Sequence, residues 1–466
     1  MKHTAHGYWL EEAGDRPALP SADGELACDV LVVGGGYTGM WAAWQISQLE
    51  PEAEVIVLEA DRCGHGPSGR NGGFVNAMWF SLRTLQERVG GPAASLVARA
   101  SQEAVDEIGR FCDEQQVDAW YRQGGYLQLS AAPAQDGIWD EAVAACRELG
   151  NGDAVEELSP EQVAGRCRSP RFRAGALYPG VATVQPARLA LGLRDRLAER
   201  PGVRIFEGSP LRRMRAGSWG CVAETPAARI RAGACVLALG SASGAAGSPV
   251  RGRLTVTSSH IVLTEPVPDV LEEIGWTGGE CITDSRTMVH YMRTTPDGRI
   301  ALGWGGGKIA CGARLRRLTE LDPGVVQRVG SDLRSFFPEL KGRRLTHAWG
   351  GPIDVSPTHL PMVLPVRSDR VHAAFGYTGN GVGPSMLVGR ILASLALDRR
   401  DEHSRLALVD SAPRRVPGGL ASWVGGNAIR AGLVAKEAAE ERGESPGPIS
   451  SGLAAIPERI GFHLGR

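Results

Sequence analysis

Residues 29–59 constrain the fold of this chain more than any other stretch of its sequence. The apolar, β-branched run over residues 30–33 predicts a buried strand, an apolar helix follows over 40–49, and a second strand is predicted over 54–58. The turn between strand and helix carries the spacing GxGxxG, formed by Gly34, Gly36 and Gly39. In this strand–turn–helix context the spacing predicts a βαβ unit that binds a dinucleotide.

Each glycine of the motif has a predicted structural role. Gly34 permits the tight turn, Gly36 lets backbone N–H groups approach a pyrophosphate, and Gly39 lets helix and strand pack closely. The pyrophosphate then lies at the positive N-terminus of the helix, so the neighbouring Tyr37 and Thr38 are also predicted cofactor contacts. An ordinary strand-to-helix turn is the alternative.

Glu59 follows the second predicted strand, where a carboxylate accepts hydrogen bonds from a ribose hydroxyl. The same carboxylate would repel a 2′-phosphate, which argues against a cofactor of the NADP kind. The motif by itself leaves both NAD and FAD open.

The composition argues against several classes of function. The 466 residues carry a net charge of −1, which gives no electrostatic footprint for nucleic acid or an anionic membrane. We expect no membrane span and no secretory signal, because no apolar stretch is long enough. Nine scattered cysteines without a CxxC pair favour free thiols and a reducing, cytoplasmic location. We also expect no metal site, since His347 and His359 have no partner at metal-ligand spacing.

A glycine-rich loop over residues 60–76 is the second predicted site. Its glycines flank Arg70 and Asn71 and allow the backbone to lie flat against a planar ligand. A mobile surface loop is the alternative. The predicted cofactor contacts in this loop are Ala60, Ser68, Gly69, Arg70, Asn71, Gly72 and Gly73.

Later segments return to the αβ rhythm of the first unit. A helix is predicted from Pro186, with strands over 203–206 and 235–239 and a glycine turn at Gly240. A further strand over 371–375 leads into a second glycine-rich turn and a helix that runs to residue 397. A glycine turn at a helix N-terminus is again a place for negative charge.

The segments between these units predict a second domain. Helical patterns over 82–112 and 135–149, a strand-like stretch over 119–130, a strand over 255–264 and a hairpin over 287–303 do not continue the βαβ repeat. In the hairpin, alternation places Tyr291 and Arg293 on one face and Met288, His290 and Met292 on the other.

We therefore predict an α/β fold in which a discontinuous Rossmann-like cofactor domain is interleaved with an α+β substrate domain on a mixed or antiparallel sheet. The predicted cofactor domain comprises residues 1–80, 181–250 and 346–400, the substrate domain 81–180 and 251–345, and a C-terminal docking tail 401–466, with a possible amphipathic helix over 420–441.

The order of these motifs resembles that of the D-amino-acid oxidase, glycine oxidase and sarcosine oxidase superfamily of FAD enzymes. The shared motifs are the GxGxxG unit with Glu59, SGRNGG at 68–73, VQPARL at 184–189, VLALG at 236–240, TEP at 264–266, YMRTTPDGRI at 291–300 and FGYTGNGVGPS at 375–385. SGRNGG and GYTGNGVGPS are most similar to the branch that includes γ-glutamylputrescine oxidoreductases. The resemblance spans about the first four hundred residues and implies FAD as the cofactor.

The resemblance also implies roles for individual residues. The GxGxxG glycines hold the pyrophosphate, Glu59 the adenosine ribose, the backbone near Leu211 the adenine, and Arg70, Asn71 and Gly72 lie against the flavin. The amides of the closing turn, backed by a helix dipole, are suited to stabilise negative charge on the reduced flavin. That turn comprises Gly379, Asn380, Gly381, Val382 and Gly383.

Two departures from the superfamily bear on the chemistry. Monomeric sarcosine oxidases tether FAD through a cysteine, and the matching position here is about Gly351, which implies non-covalent FAD. Those enzymes also place a lysine above the flavin for reaction with oxygen. The matching strand over 299–305 has no lysine, and Lys308 is the nearest. Oxygen and an electron carrier both stay open as the acceptor.

The implied reaction transfers a hydride from the carbon beside an amine nitrogen to flavin N5, and water hydrolyses the resulting imine to a carbonyl. Tyr291, Trp304 and Trp349 are predicted walls of the substrate pocket, with core packing as the alternative. Arg293 is the predicted anchor for a substrate carboxylate, with a solvated strand residue as the alternative. The predicted catalytic set is Arg70, Asn71, Tyr291, Arg293, Trp304 and Trp349.

Three functions therefore follow from the sequence. The first is an oxidase of a small primary or secondary amine or amino acid, which releases H2O2 if oxygen is the acceptor. The second is a dehydrogenase or biosynthetic tailoring enzyme with a larger substrate, and the third is a non-catalytic FAD-binding subunit. The chain is expected to be a monomer or a homodimer.

Overall fold

Two large sheets carry nearly all of the strands in the computed structural model, which describes residues 2–3, 7–245, 247–311, 321–409, 415–416 and 419–462. The strands are β1 (Lys2–His3), β2 (Gly24–Val33), β3 (Val55–Leu58), β4 (Phe74–Val75), β5 (Tyr126–Leu129), β6 (Glu156–Leu158), β7 (Gly175–Tyr178), β8 (Ala182–Thr183), β9 (Val203–Phe206), β10 (Arg213–Gly217), β11 (Gly220–Glu224), β12 (Ala228–Leu237), β13 (Thr255–Thr264), β14 (Cys281–Asp284), β15 (His290–Thr294), β16 (Ile300–Trp304), β17 (Leu345–Val355), β18 (Met362–Val366) and β19 (Ser368–Phe375).

The described residues also form thirteen α-helices. They are α1 (Gly7–Ala13), α2 (Tyr37–Leu49), α3 (Leu82–Val89), α4 (Gly91–Glu114), α5 (Asp140–Glu148), α6 (Pro160–Ala164), α7 (Pro186–Ala198), α8 (Pro268–Ile274), α9 (Pro323–Phe336), α10 (Val382–Ala396), α11 (Gly419–Glu441), α12 (Pro448–Ala454) and α13 (Ile456–Arg459). Short 3-10 helices lie at Pro67–Gly69, Trp79–Ser81, Pro133–Gln135, Gly152–Ala154, Gly240–Gly244, Pro338–Leu340 and His403–Arg405.

The first sheet has the order β10-β11-β12-β2-β3-β9, and β19 pairs with both β12 and β18. β2 runs parallel to β3 and β12, β3 to β9, and β12 to β19. Val30 and Val32 pack in one core cluster with residues of α2, α4 and α10, while Leu31 and Val33 pack on the opposite face. Burial on both faces explains the continuous apolar run in β2. The predicted Rossmann-like unit is confirmed.

The second sheet has the order β1-β17-β13-β16-β15-β14-β5-β7-β6 and mixes parallel with antiparallel pairs. β13, β15 and β16 pair antiparallel, and β14 runs parallel to β5. β15 and β16 form the predicted hairpin, in which Thr294 is opposite Ile300. The predicted mixed sheet is confirmed.

Two predicted elements are shorter than expected, because positive φ angles interrupt them. The strand pattern over 119–130 becomes only β5, since Trp120 and Gly125 adopt φ of 52° and 84°. The helix expected over 135–149 starts at α5, after Gly137 with φ of 77°. Positive φ values leave the strand and helix regions of conformational space.

The membership of β17 in the second sheet bears on one predicted boundary. A domain boundary at residue 345 would separate β17 from β13, its antiparallel partner along ten register pairs. We propose that the third segment of the cofactor domain begins after Val355. The other domain boundaries stay predictions.

The C-terminal segment forms α11, which confirms the helix predicted over 420–441. All nine cysteines are free thiols. Within the portion of the chain that the structure describes, no helix is both long and apolar enough to cross a membrane.

Candidate active site

A cavity of about 1440 Å³ is lined by residues from both large sheets and from the C-terminal segment. The glycine turn after β2, Glu59 and Leu211 line one part, while Tyr291 and Thr283 of the second sheet line another. This volume exceeds the roughly 300–1,000 Å³ typical of small-ligand pockets. It has room for an extended cofactor together with a substrate.

The turn between β2 and α2 has no space for side chains at two of its glycines. Gly34 has φ of 115°, and a Cβ there would lie 2.3 Å from the carbonyl oxygen of Ala238. A Cβ on Gly39 would lie 1.9 Å from the carbonyl oxygen of Gly34. Gly36 lines the cavity at the N-terminus of α2. The close strand–helix packing expected of this motif is therefore present.

Glu59 fixes the shape of the glycine turn. One carboxylate oxygen accepts the N–H of Gly35 at 2.7 Å, and the other accepts the N–H of Asp61 at 2.9 Å. Burial raises the pKa of Glu59 above its ordinary value, and the two backbone N–H donors oppose that shift. The residue lines the cavity, so its remaining acceptor capacity is available to a ligand hydroxyl.

The glycine-rich loop is held by hydrogen bonds among its own residues. Ser68 Oγ accepts the N–H of Tyr37 at 2.9 Å, which ties the loop to the start of α2. Asn71 Nδ2 donates to the carbonyls of Pro67 and Ser68 at 3.1 and 2.8 Å, and its Oδ1 accepts the N–H of Gly73 at 2.7 Å. Asn71 therefore organises the loop whose backbone lines the cavity.

Two buried tryptophan side chains form hydrogen bonds with the backbone of the same loop. Trp349 Nε1 donates to the carbonyl of Arg70 at 2.9 Å, and Trp9 Nε1 donates to the carbonyl of Asn71 at 2.9 Å. The two rings pack edge to face with centroids 5.7 Å apart. The structure thus corrects the predicted wall role of Trp349: this part of β17 packs against α1 and holds the ring under the loop, whereas the cavity-lining residues of β17 are 351–355.

Tyr291 lies where the sequence places it, on the cavity wall. A Cβ on Gly72 would lie 3.0 Å from its ring, so the phenol packs directly on the glycine-rich loop. Its hydroxyl shares a 2.6 Å hydrogen bond with Ser259 Oγ. Burial raises the pKa of Tyr291 well above its ordinary value, so the phenol is neutral at physiological pH.

Arg293 shares the face of Tyr291 but does not line the cavity. It is 3% exposed, and its guanidinium donates to the backbone carbonyls of Gly73 and Val184. It also stacks over the ring of Trp9 at 5.6 Å. Burial lowers the pKa of Arg293 to about 10. The predicted carboxylate anchor is corrected, because Arg293 does not line the cavity and main-chain carbonyls accept from its Nε and Nη1.

Trp304 faces away from the cavity. It is the cross-strand partner of His290, and such partners share one face of a sheet. Since Tyr291 faces the cavity, its neighbour His290 and therefore Trp304 point into the core behind the sheet, where Arg328 lies 4.1 Å from the indole ring. The predicted wall role of Trp304 is corrected for this reason.

The closing glycine turn also reaches the cavity. Gly379, with φ of 86°, leads through Gly381 into the first turn of α10. Asn380 Oδ1 accepts the Nδ2 N–H of Asn76 at 3.0 Å, and a Cβ on Gly383 would lie 2.2 Å from the carbonyl oxygen of Asn76. The cavity-lining residues here are Gly379, Asn380, Gly381 and Val382, whereas Gly383 serves helix packing.

Asp354 is a cavity-lining residue that sequence reasoning missed. Its Oδ2 accepts the N–H of Gly376 at 2.6 Å, next to Tyr377, whose hydroxyl is 2.7 Å from Thr38 Oγ1. Burial raises the pKa of Asp354 to about 6. No local motif marks this carboxylate, because only the pairing of distant strands brings it to the closing turn.

The remaining predicted positions divide into cavity-lining and packing residues. Tyr37, Thr38, Ala60, Ser68, Arg70, Asn71, Gly72, Leu211 and Gly240 line the cavity. Gly69 and Gly73 pack closely, since a Cβ would lie 2.3 Å from the carbonyl oxygen of Gly64 and 2.2 Å from that of Val184, respectively. Lys308 pairs with Asp322 at 2.9 Å, and its side chain is 55% exposed.

These observations test whether the site suits the FAD predicted from the sequence. The glycine turn brings backbone of the first sheet to the N-terminus of α2, which favours a pyrophosphate. The glycine-rich loop, Tyr291 and the closing turn then border the part of the cavity that a flavin ring requires. No described residue that lines the cavity is a cysteine, and non-covalent binding stays a prediction. The residues present therefore fit the cofactor.

The C-terminal helix contributes a further wall that sequence reasoning did not foresee. Ser422, Gly425, Ile429, Arg430 and Leu433 of α11 line the cavity. The helix lies outside the motifs that carry the resemblance, and only its position in the fold shows that it reaches the site.

Comparisons with known proteins support the same assignment. Residues 29–395 match the family model described as DAO, FAD dependent oxidoreductase. The chain is 27% identical over 427 residues to gamma-glutamylputrescine oxidoreductase of Escherichia coli (strain K12), which covers 90% of this chain and 94% of that protein.

Solved structures share the fold. Glycine oxidase from Geobacillus kaustophilus gives a TM-score of 0.65 at 19% identity and covers 81% of this chain and 96% of its own. L-proline dehydrogenase from P. horikoshii gives 0.66 at 17% identity, over 84% of this chain and 96% of its own. At these identities the comparison establishes the architecture alone.

Proposed function

Because the chain belongs to the DAO family of FAD-dependent oxidoreductases, we propose that it oxidises the C–N bond of a primary or secondary amine or amino acid. The observation that carries this proposal is the continuity of one cavity from the glycine turn of α2 to the compartment beside Tyr291. The similarity to gamma-glutamylputrescine oxidoreductase supports an amine substrate. We also propose a cytoplasmic location, which the nine free cysteines support.

FAD, when bound, supplies the oxidising ring that accepts a hydride from the carbon beside the amine nitrogen. The substrate thereby loses two electrons and one proton with the hydride, and the N–H proton leaves to water to give a neutral imine. Water then adds to the imine carbon and releases a carbonyl compound together with ammonia from a primary amine, or with the smaller amine from a secondary one.

The chain's own residues orient the substrate and limit access of water. Tyr291 is fixed by Ser259 and by its packing on Gly72, so the phenol is a rigid wall beside the glycine-rich loop. Phe74 packs edge to face on Tyr291 with centroids 6.1 Å apart, and both rings line the cavity. Such an apolar compartment favours the neutral amine, which is the form that can lose a hydride.

The N-terminus of α10 faces the part of the cavity assigned to the flavin. Its first-turn N–H groups and the helix dipole favour negative charge there. Gly379 and Gly381 are the positions at which the backbone itself lines the cavity. We propose that this turn stabilises the charge that develops as the cofactor is reduced.

The test is an anaerobic titration of the purified yellow protein with primary, secondary and carboxylate-bearing amines, followed at the visible flavin absorbance. Bleaching by one class supports amine oxidation. Rapid return of colour on admission of air identifies oxygen as the acceptor, whereas slow return indicates an electron carrier. Retention of colour with every amine would overturn the proposed function and favour a non-catalytic FAD-binding subunit.

A further inference from the structure

The C-terminal helix forms a fixed wall of the cavity. Glu437 accepts the backbone N–H groups of Thr287 and Met288 at 2.6 and 3.2 Å. Asn427 Oδ1 accepts the backbone N–H of Ile309 at 3.2 Å, and Asn427 Nδ2 donates to the carbonyl of Ile309 at 3.3 Å. These contacts attach α11 to the rim of the second sheet beside the cavity. The helix itself lies outside residues 29–395, which match the family model.

The face of α11 that lines the cavity is made of small residues near its start. Ser422, Gly425 and Gly426 line the cavity, and a Cβ at Gly425 would meet no atom within 4 Å. One helical turn later, the same face presents Ile429 and Arg430. At Gly426, by contrast, a Cβ would lie 2.5 Å from Ile309 Cδ1, so the open space on this face lies beside Gly425.

Arg430 has no ion-pair partner at this wall among the described residues, and its guanidinium carbon lies 5.8 Å from the centre of the Trp304 ring. Its Nε donates to the carbonyls of Gly306 and Gly307 at 2.6 and 2.9 Å, which fixes the side chain. No carboxylate of the described residues lies within 4 Å of its guanidinium. Burial and the nearby Arg328 lower the pKa of Arg430, and the carboxylate of Asp322 opposes part of that shift.

Other arginines near this wall are compensated. Arg286 lines the cavity but pairs with Asp284 at 3.0 Å and with Glu441. Arg328 pairs with Asp332 at 3.4 Å. A partly buried guanidinium with two further donor nitrogens, and with no carboxylate of the described part of the chain within 4 Å, is a suitable partner for a ligand anion, which would form charge-assisted, bidentate hydrogen bonds.

The carbonyls that hold Arg430 also locate it relative to the proposed reaction site. Tyr291 packs on Gly303, where a Cβ would lie 2.1 Å from its ring, and Gly306 is three residues further along the chain. Three residues span at most about 11 Å. The guanidinium is thus near the compartment of Tyr291 but beyond the end of β16.

We propose that Arg430 binds a carboxylate of the substrate, and that the chain acts on amines whose carboxylate is separated from the reacting nitrogen by several carbons. This inference rests on the proposed function for the reacting end of the substrate. Arg430 takes the role of specificity determinant that the buried Arg293 cannot fill.

The test uses the FAD-loaded protein with three probes: pentanoate, which cannot react, and the matched pair 5-aminopentanoate and pentylamine. Calorimetry measures pentanoate binding, and anaerobic bleaching measures the two amines. We expect Arg430→Gln to weaken pentanoate binding about 10- to 100-fold, the range of a lost charge-assisted hydrogen bond. Arg430→Gln should also remove most of the preference for 5-aminopentanoate over pentylamine.

Two further variants make the result specific. Arg430→Lys keeps the charge and should restore part of the pentanoate affinity. Arg442→Gln removes an exposed arginine of the same segment, which pairs with Glu444 at 2.7 Å, and should change neither measurement. Each variant must retain bound FAD and its visible spectrum.

Equal pentanoate binding by wild type and Arg430→Gln would overturn this inference, as would reduction by pentylamine at the rate of 5-aminopentanoate. Either result leaves the proposed amine oxidation intact. Binding of pentanoate that depends on Arg430, without bleaching by any amine, would support the anion site and overturn the proposed reaction.

Discussion

At the scale of one residue, a substitution of Glu59 tests how the cavity binds the nucleotide part of FAD. Its carboxylate accepts two backbone N–H groups and lines the cavity. Glu59→Gln removes the charge and leaves one acceptor oxygen. We expect the dissociation constant of FAD to rise roughly 10- to 100-fold, since hydrogen bonds to charged groups contribute about 1.5–3 kcal/mol.

The measurement is recovery of flavin fluorescence as FAD is released on dilution. Asp61→Asn is the matched control, because this exposed carboxylate lies two residues away and does not line the cavity. Equal FAD affinity in Glu59→Gln and wild type would contradict the assignment.

The raised pKa of Asp354 predicts that the free energy of unfolding depends on pH. Burial raises its pKa to about 6, above roughly 3.9 for an unfolded aspartate. The native state therefore binds this proton more tightly than the unfolded state does. The resulting contribution to the free energy of unfolding is complete below about pH 4 and is lost as the pH rises through about 6. About two pKa units correspond to roughly 3 kcal/mol.

Asp354→Asn keeps the shape and an acceptor for the Gly376 N–H but cannot ionise. We expect wild type to lose roughly 3 kcal/mol more unfolding free energy than this variant between pH 4 and pH 7, as measured by urea denaturation. Asp369→Asn, at an exposed carboxylate, should retain the wild-type pH dependence. Parallel pH profiles for wild type and Asp354→Asn would show that the carboxylate is not buried as described.

At the scale of one element, the start of α2 depends on close packing against β2. A Cβ on Gly39 would lie 1.9 Å from the carbonyl oxygen of Gly34, so Gly39→Ala must displace the helix that presents its N-terminus to the cavity. We expect a destabilisation of about 1–3 kcal/mol and loss of bound FAD. Thermal unfolding and the ratio of flavin to protein absorbance measure both effects.

Gly66→Ala is the control, because Gly66 also lines the cavity but a Cβ there meets no atom within 4 Å. It should keep its FAD and its thermal midpoint. Full FAD content in Gly39→Ala would mean that the motif does not require this close approach.

Local patterns were sufficient to predict most elements but not the partners of their side chains. Alternation along β15 placed Tyr291 and Arg293 on one face, as found. The roles of these two residues differ because a loop from residue 73 and a segment at residue 184 cover Arg293 and leave Tyr291 in the cavity. Such contacts join distant segments, so no local sequence signal predicts them.

Glycine spacing was informative for a related reason. A strand followed by GxGxxG specifies a backbone geometry by itself, and Gly34, Gly36 and Gly39 occupy the expected places. Asp354 and Arg430 lack such a signal, because β17 and α11 reach the cavity only through tertiary packing. Their chemistry is visible only in the fold.

At the scale of the whole molecule, the C-terminal segment closes one side of the cavity. Glu437 is 7% exposed and joins α11 to the backbone of Thr287 and Met288. Glu437→Ala leaves those N–H groups without this acceptor, so we expect α11 to open more often and water to reach the flavin. Quenching of flavin fluorescence by iodide should increase several-fold, with FAD content unchanged.

Glu444→Ala removes an exposed carboxylate from the same segment and should quench like wild type. Identical iodide quenching in Glu437→Ala and Glu444→Ala would contradict the role of α11 as a wall of the cavity.

The central claim is that one cavity couples bound FAD to oxidation of an amine. An anaerobic single turnover tests it most directly, with the amine that bleaches the protein fastest supplied in equimolar amount. We predict that each mole of flavin bleached is accompanied by one mole of carbonyl product. Bleaching without a carbonyl product, or FAD that stays oxidised with every amine, would contradict the account.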